Sequence, residues 1–86
     1  MCKEIIRARL SERAWEIRRG LGWSQERMSE RLRITTRAYG DLERGKYCFS
    51  SSALLFLLEL MGKDASWELV SVIYAEIAGS EGKSGD

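Results

Sequence analysis

The sequence contains no proline, no histidine and only two cysteines among its 86 residues. Without proline, the strongest helix breaker, and with abundant Leu, Arg, Glu and Ala, the composition favours helix over strand and predicts an all-α fold. With no histidine, and with Cys2 and Cys48 far apart and outside any C-x-x-C spacing, the usual zinc ligand sets cannot be assembled, and two free thiols in a reducing cytosol are expected. A phosphate-cradling glycine loop is also missing, so neither catalytic residues nor a metal or cofactor is expected, and the chain does not read as an enzyme. No apolar run approaches the roughly 20 residues that span a bilayer. The densest, from Leu54 to Met61, is interrupted by Glu59. The N-terminus MCKEIIRARL lacks the apolar stretch and cleavage site of a signal peptide, and the expected location is cytoplasmic.

What is present, 44% hydrophobic and 31% charged residues, suits one compact core. The expectation is a single domain over residues 1–78, followed by a Gly/Ser-rich tail, GSEGKSGD, over 79–86 that buries nothing and is expected to be disordered. The formal net charge of +1 hides a division along the chain. Residues 1–46 hold twelve Lys/Arg against seven Asp/Glu, and residues 47–86 hold two against six. The first part is thus +5 and the second −4. A basic half of this kind suits a phosphate backbone.

Apolar periodicity divides the chain into five helices, at about 4–19, 25–32, 36–44, 51–61 and 64–78. In the first, Ile6, Leu10, Ala14, Ile17 and Leu21 recur at helical spacing, with Gly20 and Gly22 as terminators. Ser24 is the expected cap of the second, whose apolar edge is Met28 and Leu32, and Ile34 fills the following turn. Thr35 caps the third, which carries Tyr39 and Leu42 and stops at Gly45. Ser50, Ser51 and Ser52 offer caps to the fourth, with Leu54, Leu57, Leu58 and Met61 as its core stripe and Gly62 as its end. Asp64 or Ser66 opens the fifth. Its expected core face is Trp67, Val70, Tyr74 and Ile77, yet Leu69, Val72 and Ile73 make the same helix apolar nearly all round.

Two short helices joined by a tight turn, the second carrying small polar and basic residues, can place one helix in the major groove while the other crosses the backbone. The residues Arg18, Gly22-Trp23-Ser24-Gln25, Met28, Leu32, Ile34, Tyr39, Leu42, Glu43 and Gly45 stand at a joint spacing that resembles the five-helix DNA-binding domain of phage Cro and repressor proteins, the XRE family. The resemblance runs from Ile17 to Gly62. It implies a lambda-repressor-like fold, double-stranded DNA as partner, and a bacterial or phage transcriptional regulator as function.

By the same resemblance, Gln25 at the start of the second helix hydrogen-bonds a phosphate, where the helix dipole already favours an anion. Arg18 and Glu43 form a partly buried ion pair. Thr36, Arg37 and Asp41, with Gly40 beside them, occupy the positions of base readout. Arg37 could grip guanine, Thr36 touch a thymine methyl and Asp41 accept from cytosine. Thr35, Arg44, Lys46 and Tyr47 are expected at the sugar-phosphate backbone, with Arg33 and Arg27 as helpers. Simpler readings stay open: Gln25 as a solvent-exposed glutamine, Arg37 and Asp41 as a surface ion pair one turn apart, and the cations as a solvated face. The sequence departs from the family pattern in places. Arg33 stands where the turn often has glycine, which predicts a non-glycine residue at positive φ. Ser29 replaces a small alanine, Gly40 weakens the third helix, and Asp41 puts a negative charge near DNA.

One such unit has little contact area, whereas two related by a twofold axis grip half-sites one helical turn apart. The expected dimer surface is Leu69, Val72 and Ile73, supported by Phe56. With no sensor domain in the sequence, a simple repressor governed by its own concentration is the expectation. The rival from another class is an antitoxin-like or adaptor module that binds protein through the same surface, favoured by Asp41, Gly40 and the near-neutral charge.

Overall fold

A computed structural model of the chain describes the backbone of residues 2–84 and the side chains of residues 4–79. Among the described residues the architecture is five helices and no strand. These are α1 Cys2–Leu21, α2 Gln25–Leu32, α3 Thr36–Glu43, α4 Ser51–Met61 and α5 Lys63–Ser84. The side chain of Cys2 lies outside the described residues, and Cys48 is an exposed free thiol.

The helix ends follow from local chemistry. α1 runs two residues beyond the expected Arg19, because Gly20 stays helical and only Gly22, at φ 72°, turns left-handed. Ser24, Thr35 and Ser50 each accept a backbone N–H from the residue three positions on, at 3.1, 3.0 and 3.3 Å. Each thereby satisfies a donor that the first helical turn leaves orphaned. Arg33 closes α2 at φ 64° and ψ 43°. A left-handed arginine costs roughly 1–2 kcal/mol, offset in part by its guanidinium lying 4.8 Å from the centre of the Phe56 ring. α3 stops at Glu43, one residue short of expectation, and α5 begins at Lys63 directly after Gly62.

The core forms where α1, α2, α3 and α4 meet. Ala14, Met28, Leu32, Tyr39 and Leu57 are fully buried, with Ile17, Trp23, Ile34 and Phe49 packed around them. Burial of each large side chain in that set contributes roughly 1.5–3 kcal/mol. Leu21, expected on the α1 core stripe, is the last residue of that helix and 48% exposed.

α5 departs most from the sequence expectation. It packs against α1 and α4 through Leu69, which is 4% exposed, and half-buried Ile73, both assigned from sequence to a dimer surface. Trp67, Val70 and Tyr74, expected in the core, are instead 74%, 46% and 73% exposed. The inward side also carries an ion pair that periodicity cannot see: Arg9 on α1 donates through Nε and Nη2 to both oxygens of Glu76, at 2.9 and 2.7 Å. Leu69, Ile73 and Glu76 share one stripe, so burying Leu69 and Ile73 brings Glu76 to Arg9 and leaves Trp67 outward. Phe56, also expected at the dimer surface, packs against the core beneath Arg33. Val72 remains 42% exposed. From Gly79, where the tail was expected to begin, the backbone of α5 continues to Ser84. Without proline, an established helix propagates through isolated glycines at about 1 kcal/mol each. Residues 85 and 86 lie outside the described residues.

Candidate nucleic-acid interface

α2 and α3 pack closely, joined by the turn at Arg33 and Ile34. Ser29, buried where the two helices meet, donates to the Glu26 carbonyl at 2.7 Å and lies 3.2 Å from the Thr36 hydroxyl. A hydroxyl in place of alanine thus finds its own partners instead of becoming a buried unsatisfied group.

Beneath the helix pair lies a polar network centred on Glu43, whose side chain is 5% exposed. Arg18 donates to both of its oxygens, from Nε at 2.5 Å and Nη2 at 3.2 Å, and Nη1 reaches the Trp23 carbonyl at 3.0 Å. Gln25 Nε2 donates to Glu43 Oε1 at 2.9 Å, and the Tyr39 hydroxyl to Oε2 at 2.6 Å. Burial alone would raise the Glu43 carboxyl, but the hydrogen bonds from Arg18, Tyr39 and Gln25 outweigh it and hold the group below the ordinary carboxylate range. Burial, followed by the bond to Glu43, keeps the Tyr39 phenol protonated far above its usual value. The bond to Glu43 likewise raises Arg18. The network ties α1, the start of α2 and the end of α3 into one rigid unit.

Above the network, the outward face of α3 carries the groups expected at DNA. Thr36 and Arg37 are exposed, and Arg37 makes no hydrogen bond or ion pair among the described residues. Asp41 does not pair with Arg37; it accepts a hydrogen bond from Arg44 Nη2. Its side chain is only 14% exposed, against 65% for Arg44. Gly40 is covered, lying beneath Arg44 and Gln25 and not facing solvent. Thr35 accepts the Ala38 N–H, which leaves its own hydroxyl proton free to donate. Gln25 uses one of two amide hydrogens on Glu43 and keeps the other at the N-terminus of α2. Arg33, Lys46 and Tyr47 are exposed around this face. Arg27, Arg33 and Lys46 lie 4.9, 4.8 and 5.6 Å from the centres of the Trp23, Phe56 and Tyr47 rings. Such stacking limits the freedom of long side chains while leaving their charge outward.

The sequence alone did not point to the Tyr39 and Gln25 bonds to Glu43, to Arg9–Glu76, or to the Arg31–Glu59 pair between α2 and α4. Only the tyrosine carried a usable signal, since a core phenol needs a hydrogen-bond partner. The architecture thus consists of a short helix, a tight left-handed turn and a second short helix with an open polar face, and a helix-turn-helix family model matches residues 16–67. The chain belongs to the Cro/repressor-type (XRE) helix-turn-helix family. It is therefore a DNA-binding protein of the transcription-regulator kind. Comparison with curated proteins and with solved structures gives no match. Among the described residues no helix is long and apolar enough to cross a membrane.

Proposed function

We propose that this XRE-family protein is a homodimeric repressor that reads a palindromic operator through the major groove. Thr36 and Arg37 contact base edges. Gln25, Thr35, Arg33, Lys46 and Tyr47 grip the flanking phosphates. The observation that carries this reading is Arg37, an exposed guanidinium on α3 without a hydrogen-bond or ion-pair partner among the described residues. A side chain so placed in a rigid helix can bond guanine O6 and N7 at once, worth about 1–3 kcal/mol of discrimination.

The dimer rests on the other end of the molecule. Trp67, Val70, Tyr74 and Ile77 follow the three-four spacing of a coiled-coil seam on α5, and Trp67 and Tyr74 are nearly three-quarters exposed. Antiparallel pairing about an axis near Val72 brings position 63 of one copy level with position 81 of the other, a lysine with a glutamate. This seam replaces the one expected at Leu69, Val72, Ile73 and Phe56. A dimer spanning half-sites about 34–36 Å apart covers enough promoter DNA to exclude polymerase, which is repression by occupancy.

Enrichment of binding sites from random duplex DNA tests the reading, together with sedimentation of the wild type and of Trp67→Ser/Tyr74→Ser. A two-fold symmetric consensus and a dimer lost in the double variant are expected. A consensus bound by a monomer overturns the dimer. Failure to enrich any sequence at low salt overturns specific DNA recognition and favours a protein-binding adaptor.

A further inference from the structure

We propose that Arg44, not Asp41, supplies the second base contact of α3, and that Asp41 is the positioning residue that aims it. This deepens, and rests on, the reading of α3 as a major-groove helix. On spacing alone, Asp41 belongs to the readout stripe and Arg44 to the backbone. Side-chain placement reverses these roles. The carboxylate of Asp41 is 14% exposed and engaged by Arg44 Nη2, whereas the Arg44 side chain is 65% exposed. A covered carboxylate already bonded to a cation has little left to offer a cytosine amino group.

Arg44 is well placed for the task. It lies seven residues after Arg37, which at 100° per residue returns it to within about 20° of the same direction. Its guanidinium also folds back along the helix instead of trailing away from it. A Cβ built on Gly40 would stand 3.4 Å from Nη1 and 4.0 Å from Nη2 of Arg44, and 3.5 Å from Gln25 Oε1. Arg44 therefore lies over Gly40, at the edge where α3 meets the start of α2. Gly40 provides the shelf, Asp41 the anchor and Gln25 the neighbouring wall.

The chemistry accounts for the acidic residue. A bare carboxylate beside phosphates and base acceptors opposes binding, but one paired with Arg44 is neutralised. The single bond to Asp41 uses one of the five N–H donors of Arg44 and leaves four, including those needed for guanine O6 and N7. An exposed arginine otherwise loses rotamer freedom on docking, and a carboxylate that fixes the fork beforehand lowers that loss.

The test is affinity on the selected operator and on single-base variants at each G·C pair, at several salt concentrations, for wild type, Arg44→Ala, Arg44→Lys and Asp41→Ala. If Arg44 reads a base, Arg44→Ala and Arg44→Lys both lose about 5- to 150-fold of discrimination at one G·C position and keep it at the position read by Arg37. Asp41→Ala weakens discrimination at that same position while binding random DNA more tightly than wild type, a pairing of effects that a merely structural role does not produce. The proposal is overturned if Arg44→Ala weakens all sequences equally and lowers the salt slope by about one, the behaviour of a phosphate contact. It is also overturned if Asp41→Ala erases a preference that Arg44→Ala leaves intact. A wild type that selects no sequence overturns the underlying reading of α3 as well, whereas a wild type with a clear operator and a uniform Arg44→Ala loss overturns this proposal alone.

Discussion

Replacing Glu43 by alanine is expected to cost the fold a large share of its stability without altering any residue of the DNA-facing surface. The carboxylate accepts four hydrogen bonds, two from Arg18 and one each from Gln25 and Tyr39. Its removal leaves the Arg18 side chain, 15% exposed, with only the Trp23 carbonyl. It also leaves the Tyr39 hydroxyl with a long 3.4 Å contact to the Ala14 carbonyl. Breaking a buried ion pair from one side costs about 3–5 kcal/mol. A domain of this length has roughly 4–13 kcal/mol in total, taking 0.05–0.15 kcal/mol per residue. The variant should therefore be marginal, with a melting temperature lower by more than about 10 °C. Urea denaturation followed by far-ultraviolet ellipticity gives the value, and a cycle with Arg18→Met and the double variant isolates the pair. The double variant should be less destabilised than the sum of the singles by about 2 kcal/mol or more, because the second substitution removes the stranded partner. A cost below about 1 kcal/mol for Glu43→Ala, or strict additivity, would refute the claim that this network holds α1 to α3.

Glu43 also sets a pH dependence. Its carboxyl is depressed in the fold, so the unfolded chain binds the proton first; the associated stability is fully present above the ordinary glutamate value near pH 4.3 and is lost as pH falls through the folded value. Urea midpoints measured across the acid range should drop below about pH 4, and Glu43→Gln should flatten that limb. Gln25→Ala removes one hydrogen bond to Glu43 and the amide at the α2 terminus. Loss of a bond to a charged phosphate, about 1.5–3 kcal/mol, should weaken all duplexes by roughly ten- to a hundred-fold, and loss of the bond to Glu43 should also lower the melting temperature by several degrees; an unchanged affinity by fluorescence anisotropy, measured below the melting transition, would remove Gln25 from the interface. Met28→Ala empties a fully buried site and should cost about 2–5 kcal/mol in chemical denaturation, and a smaller value would mean that the core collapses around the gap.

Much of the fold was legible in the sequence because its local signals agree with its global arrangement. Ser24, Thr35 and Ser50 are caps by residue type and caps in fact. Gly22, Gly45 and Gly62 take positive φ, and Arg33 does so where glycine is commoner in the family. Legibility fails where two alternatives carry the same local pattern. α5 has apolar residues on opposite sides, and the side that turns in is the one that meets α1 and α4, where Glu76 pairs with Arg9, 67 positions away in sequence. Asp41 illustrates the same limit in the candidate site. Its neighbours at i−4 and i+3 are both arginines, Arg37 and Arg44, and periodicity offers either as a partner. The structure pairs it with Arg44, whose guanidinium folds back over Gly40.

The central claim is that the polar face of α3, stiffened from below by Glu43 and Arg18, is the surface that enters the duplex. Titrating a ¹⁵N-labelled protein with its selected operator and following the backbone amide resonances tests it directly. Large shifts are predicted at Gln25 at the start of α2, at Arg33 in the turn, from Thr35 to Asp41 on α3 and from Arg44 to Tyr47 in the following loop, with the outer face of α5 unmoved. Shifts centred on Trp67, Val70 and Tyr74, with α3 silent, would contradict it.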